Sequence, residues 1–145
     1  MTSRALLLAP LALLGACAGP GGSGGTPPPP ALEARLASQL DPAHAIIVTE
    51  ITLGREEAVP PHRHAGDEAL RLVRGALELR VAGERAPRCL RPGEWATLAA
   101  GTVHAAQAGR EGADFVVVRW HPRAEAVTTP VARGDRALPG GRCDD

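Results

Sequence analysis

The chain has 145 residues, room for one domain and not for two. Its 16 basic and 16 acidic residues cancel, which excludes nucleic-acid binding through a basic field. Every basic residue is arginine, and the aromatic residues stop at Trp95, Phe115 and Trp120, so a core must be built from Val, Ile, Leu and Ala.

The N-terminus reads as a targeting segment. Met1–Arg4 carries one positive charge, and the apolar run Ala5–Leu14 is too short for a membrane-spanning helix of ~20 residues. It ends in LLGAC at 13–17, which resembles the lipobox of bacterial lipoproteins. That resemblance implies a signal peptide over 1–16 and acyl chains on Cys17. The protein would then be extracytoplasmic and membrane-anchored, on the periplasmic side or at the cell surface. Acyl burial at ~0.8 kcal/mol per CH₂ makes several chains a firm anchor. An ordinary signal peptide with a chance cysteine is the alternative. Residues 17–30, rich in Gly and ending in four prolines, read as a linker between anchor and domain.

The folded domain is expected over 31–122. In Ala31–Leu40, apolar residues at 32, 36 and 40 have helical spacing, bounded by Pro30 and by Asp41-Pro42, so a short N-terminal helix is predicted. Short strands follow. His44–Leu53 is rich in β-branched residues. Residues 68–75 and 76–83 read as a hairpin turning at Arg74-Gly75-Ala76, with Leu77, Leu79 and Val81 alternating against Glu78 and Arg80. Further strands are expected at 85–91, 94–99, 102–107 and 115–120. About eight short strands at regular spacing point to an antiparallel sandwich or barrel. Residues 123–145 read as an irregular tail. Cys89 and Cys143 either pair, which would pin that tail in an oxidising compartment, or stand as separate thiols.

The chemistry concentrates in PPHRHAGDEALRLVRG at 60–75. In a strand, residues two apart share a face with Cα atoms ~6.6 Å apart. His62 and His64 can therefore converge on one ion at ~2.0–2.1 Å per bond. Glu68 has the same parity and leads the inward set Glu68, Leu70, Leu72. A carboxylate there is costly unless it is paired or bound to a cation. Pro60 and Pro61 suit an edge strand. His44 reads as a surface residue and His121 as a group behind the ligands or at the rim. Trp95 and Trp120 read as packing groups, and Arg71, Arg74 and Arg80 as a solvated face.

With GEWATLAAGTVHAAQAG at 93–109, these residues resemble the two motifs of the cupin superfamily, G(x)5HxH(x)3,4E(x)6G and G(x)5PxG(x)2H(x)3N. His62, His64, Glu68 and Gly75 match the first, and Gly93, Gly101 and His104 the second in register. Seven residues separate Gly54 from His62 where the motif has five, Ala99 stands for the proline and Ala108 for the asparagine. The resemblance covers roughly 45–121. It implies an all-β jelly-roll barrel holding one divalent metal through His62, His64, Glu68 and His104.

Three histidines and a carboxylate suit Mn, Fe, Ni, Cu or Zn. Six-coordination would leave two positions for substrate, water or dioxygen. Cupins include dioxygenases and other metal enzymes, and also binding and storage proteins, so fold does not fix function. The first expectation is a dioxygenase-like oxidoreductase acting on a small molecule, with Glu68 as ligand and base and Leu70, Leu72, Leu79 and Ala106 lining an apolar pocket. The second is a non-catalytic module that binds a small ligand or metal, and the third a barrel whose histidines bind nothing. The expected partners are the small molecule, the membrane through Cys17 and a second copy in a homodimer.

Overall fold

The computed structural model describes residues 32–132 and 138–143. The expected leader, the lipidation residue Cys17 and the linker lie outside the described residues. Eight strands form, and no helix occurs among the described residues: β1 Leu32–Ala37, β2 His44–Leu53, β3 Ala58–Arg63, β4 Asp67–Val81, β5 Arg88–Leu90, β6 Trp95–Leu98, β7 His104–Pro122 and β8 Thr129–Pro130.

All pairings are antiparallel, and β4 and β7 organise them. One half of β7 (113–122) lies between β2 and the first part of β4, extending to β1 on one side and β6 on the other. Its other half (104–108) lies between β3 and the second part of β4, extending to β8 and β5. Two five-stranded layers thus share their long strands and enclose one core. That core joins Leu70, Leu72, Phe115 and Val117 of one layer to Leu77, Leu79, Leu90 and Ala106 of the other. The architecture is the all-β jelly roll expected.

The long strands correct the expected hairpin. Residues 68–83 do not reverse at Gly75, because both halves of β4 pair with the same continuous strand, β7. Positive φ at Gly75 (80°) and Gly112 (79°) serves a bend instead. The strands touch there: a Cβ on Gly75 would lie 2.0 Å from the Gly112 carbonyl oxygen. Inward parity switches at this corner, from Glu68, Leu70, Leu72 to Leu77, Leu79, Val81 in β4, and from Ala106, Ala108 to Ala113, Phe115, Val117 in β7. The separate strands expected at 102–107 and 115–120 are likewise one element.

The helix expected at 31–40 is absent from the described residues, where Leu32–Ala37 is the edge strand β1. Leu32, Leu36 and Leu40 are 75%, 56% and 95% exposed, so their spacing serves no core. A helix of this length is marginal without an apolar face to bury, whereas β2 offers a full ladder edge. The tail from Arg123 is tied down: β8 pairs with β3, and Cys143 forms a disulfide with Cys89. Trp95 is exposed under the Arg71 guanidinium, 5.9 Å away, and Trp120 stacks on His44.

Candidate metal centre

Four elements bring the ligand candidates together. Proline cannot donate to a ladder, and the β3–β7 register slips between Val59 and His62, across Pro60-Pro61. After the slip His62 stands directly opposite His104, the first residue of β7. His64 follows the end of β3. The loop before His104 is fastened to this region, because Gly101 N donates to the His64 carbonyl (2.8 Å) and Ala100 N to Asp67 Oδ1 (2.9 Å). Glu68 enters from the start of β4 on the inward face.

All four side chains are buried. The His62, His64 and His104 ring centroids are 4.2–5.3 Å apart, and one ring nitrogen from each lies within 4.8 Å of the others. Each imidazole is oriented from behind. The Nδ1–H groups donate to backbone carbonyls: His62 to Pro60 (2.7 Å), His104 to Thr102 (3.0 Å) and His64 to Val127 in the tail. A carbonyl only accepts, so each ring carries its proton on Nδ1 and turns the Nε2 lone pair inward, as metal-binding histidines do. His64 Nε2 is buried without a hydrogen-bond partner, with Glu68 Oε2 3.1 Å away. Orphaned acceptors of this kind are costly unless something binds them. Donor type, tautomer and burial therefore fit a transition metal.

The electrostatics agree. Burial drives the His62 pKa down to about 4, with neighbouring His104 and His64 pushing the same way. Burial also lowers His104. Both stay neutral at pH 7, as ligands must. Burial on its own would raise Glu68, but His64, the Arg119 guanidinium and His104 outweigh it and hold its carboxyl at about 2.

Arg119, which the sequence reading passed over, changes the role of Glu68. Its Nε donates to Glu68 Oε2 at 2.7 Å and its Nη1 to Thr49 Oγ1 at 3.2 Å, all three side chains being buried. Oε2 is thereby engaged, and Oε1, 3.7 Å from His104 Nε2, faces the histidines. The available signal was parity: Arg119 belongs to the inward set Phe115, Val117, Arg119, His121 of β7. His121, read as a group behind the ligands or at the rim, is fully buried, donates from Nδ1 to the Pro122 carbonyl (2.8 Å) and leaves Nε2 unpartnered. The Val127 carbonyl carried no sequence signal at all.

Beneath the histidines lies a cavity of about 30 Å³, walled by Leu70, Leu79, Ala106, Phe115 and Val117, with His62, Glu68, His104 and Arg119 on its polar side. Leu72, expected there, is fully buried in the core but does not line the cavity.

No protein-family model matches the chain, and no curated protein matches it by sequence. Solved structures do. It is similar to Bacillus subtilis oxalate decarboxylase (18% identity, TM-score 0.54, covering 61% of this chain and 24% of that one). A conserved Streptococcus pyogenes protein of unknown function is similar at 23% identity and TM-score 0.51, covering 67% and 77%. The coconut allergen cocosin follows at 21% and 0.53, covering 59% and 23%. The chain thus spans about a quarter of the length of the decarboxylase and of cocosin. At these identities the likeness concerns the fold, a cupin-type barrel.

Proposed function

We propose that this chain is a lipid-anchored, extracytoplasmic cupin that holds one divalent transition metal through His62, His64 and His104, with Glu68 Oε1 as the fourth ligand. One observation carries the reading: three buried imidazoles are each fixed by a backbone carbonyl at Nδ1, so that their Nε2 atoms converge. When bound, the ion would supply a Lewis-acidic centre at which a small substrate and dioxygen can meet. The chain's own residues have separate tasks. Arg119 anchors Glu68 through Oε2, and Leu70, Leu79 and Phe115 give the cavity its apolar walls.

The catalytic form of this reading is a dioxygenase-like oxidoreductase on a small molecule. A non-catalytic metal- or ligand-binding module is the second reading. It is favoured by the small cavity and by the Arg119 bond that already engages Glu68, the carboxylate that stands beside the histidines among the described residues.

The test is elemental analysis of the purified chain beside His62→Ala/His64→Ala. About one transition-metal ion per chain, lost in the variant, is the expected result; no metal in either protein after reconstitution sinks the proposal. Oxygen consumption by the loaded protein separates the two readings. The anchor rests on residues 13–17 and is tested by labelled palmitate, whose incorporation should be lost in Cys17→Ala.

A further inference from the structure

An antiparallel sheet with one buried side ordinarily turns polar residues outward on the other. One layer of this barrel does not. Among the described residues, Leu32, Leu36, Leu40, Val73 and Trp95 are the large apolar side chains left more than half exposed. Four of them lie on the outward side of the layer built from β1, β2, β7, β4 and β6. Leu36 stands beside Ile46, an outward residue of β2. Val73 continues the outward set Ala69, Arg71 of β4, and Trp95 alternates with buried Ala96. Leu40 follows β1 in the next loop. Across the middle, the ladder sets Ala34, Val48, Val118, Ala69 and Thr97 side by side, without a charge among them. The outward side of the other layer carries Glu78, Arg80 and Gln107 and none of the exposed large apolar groups. A contiguous apolar patch of this kind marks a contact with protein or membrane.

The way the chain enters the domain favours membrane. Residues 17–30 join the lipidation cysteine to β1, and β1 is one margin of this face. A Gly-rich linker of that length reaches about 20 Å. Five strands at ~4.8 Å spacing make the face about as wide. The barrel is therefore held within its own width of a bilayer, by the side at which the apolar face begins. Both tryptophans of the chain, Trp95 and Trp120, lie on this face. An apolar ring with one N–H suits the membrane–water boundary. Glu50, Asp67 and Arg71 are the charges among these outward residues, and the Arg71 guanidinium lies 5.9 Å from the Trp95 ring. Their signs nearly cancel, so apolar area is what the face offers.

We propose that this face lies flat on the lipid surface that holds the anchor, with Leu36, Val73, Trp95 and Trp120 entering the boundary between headgroups and acyl chains. The inference rests on the lipid-anchor reading for its tether and goes beyond it. Acyl chains hold the barrel near the membrane, whereas this face decides which side turns to lipid. The layer of β3 and β8, with the tail, then faces away from it. The face needs little affinity of its own, because a short tether supplies a high effective concentration. Binding driven by apolar area is insensitive to salt.

The chain has two tryptophans and no tyrosine, so its emission reports on this face. The acylated chain is reconstituted into phosphatidylcholine vesicles whose acyl chains carry bromine, a quencher. Emission should be quenched, and added salt should not restore it. Leu36→Asp/Val73→Asp should float with the vesicles as wild type does and keep its emission. Ala58→Asp, outward on the other layer, should be quenched like wild type. The unacylated chain 17–145 with Cys17→Ala should be quenched only at high lipid concentration, and each aspartate should weaken that partitioning roughly tenfold. A chain that floats with unquenched tryptophans overturns the proposal and leaves the anchor standing. So does quenching that the two aspartates do not change. A chain that fails to float, yet is quenched at high lipid and released by the aspartates, supports the face and sinks the anchor. If the unacylated chain sediments as a dimer that the aspartates dissociate, and lipid leaves its emission unchanged, the face belongs to protein and the proposal is overturned.

Discussion

Glu68 and Arg119 stand directly opposite each other in the β4–β7 ladder, and the guanidinium Nε donates to the carboxylate at 2.7 Å in the barrel interior. This bond allows a buried carboxylate to stay charged beside the three imidazoles. Both carboxylate oxygens face the histidines, Oε2 at 3.1 Å from His64 Nε2 and Oε1 at 3.7 Å from His104 Nε2.

Removing the arginine should therefore do more harm than an ordinary surface ion pair suggests. Breaking one side of a buried pair costs about 3–5 kcal/mol. Arg119→Leu should lower metal-free stability by about that amount in urea titrations. A divalent ion should recover part of the loss, because it supplies the positive charge Glu68 then lacks. A loss below about 1 kcal/mol would mean that Glu68 is satisfied by other means.

The metal-free protein should weaken on mild acidification. Folded His62 sits at about 4 against its ordinary 6.5, so between those values the unfolded chain binds more protons and stability falls as pH falls. Glu68, held at about 2 instead of 4.5, contributes stability that is present above 4.5 and lost as pH falls towards 2. Urea midpoints in chelator should thus drop first between pH 6.5 and 4. His62→Gln should flatten that first stage and leave the more acidic one in place.

Metal should stabilise the fold by mass action. An ion at a hundredfold excess over its dissociation constant adds about 2.7 kcal/mol. Thermal unfolding should shift upward with Mn, Fe, Ni, Cu or Zn in wild type and stay unmoved in His104→Ala. An equal shift in both proteins would place the binding elsewhere.

Two glycines with the same backbone sign should respond differently to alanine. Gly93 (φ 92°) has nothing within 4 Å of an added Cβ, so Gly93→Ala should cost only the ~1–2 kcal/mol of left-handed backbone. At Gly75 the Cβ would meet a backbone oxygen of the partner strand at 2.0 Å. Gly75→Ala should cost distinctly more in chemical unfolding, or prevent folding, because two strands must separate to admit it.

Much of the site was legible because strands alternate. Parity placed His62, His64 and Glu68 on one side, and motif spacing added His104; the structure brings these four side chains together. Parity also marked Arg119, but a lone charge in an apolar alternation is easily read as a surface residue. The hairpin was misread because a glycine after a strand signals a turn and a bend equally well. Only the partner strand distinguishes them, and β7 lies some forty residues downstream. At 32–40 the leucine spacing described a helix, but with no core to receive it the edge of β2 prevailed.

Local pattern by itself determined the all-β class, the inward faces and the histidine pair with its glutamate, because alternation and loop spacing are properties of neighbouring residues. Tertiary structure decided what those groups do. Arg119 reaches Glu68 across 51 positions and Val127 orients His64 across 63. Contacts of that range arise from sheet register and chain closure, and no local window of sequence contains them.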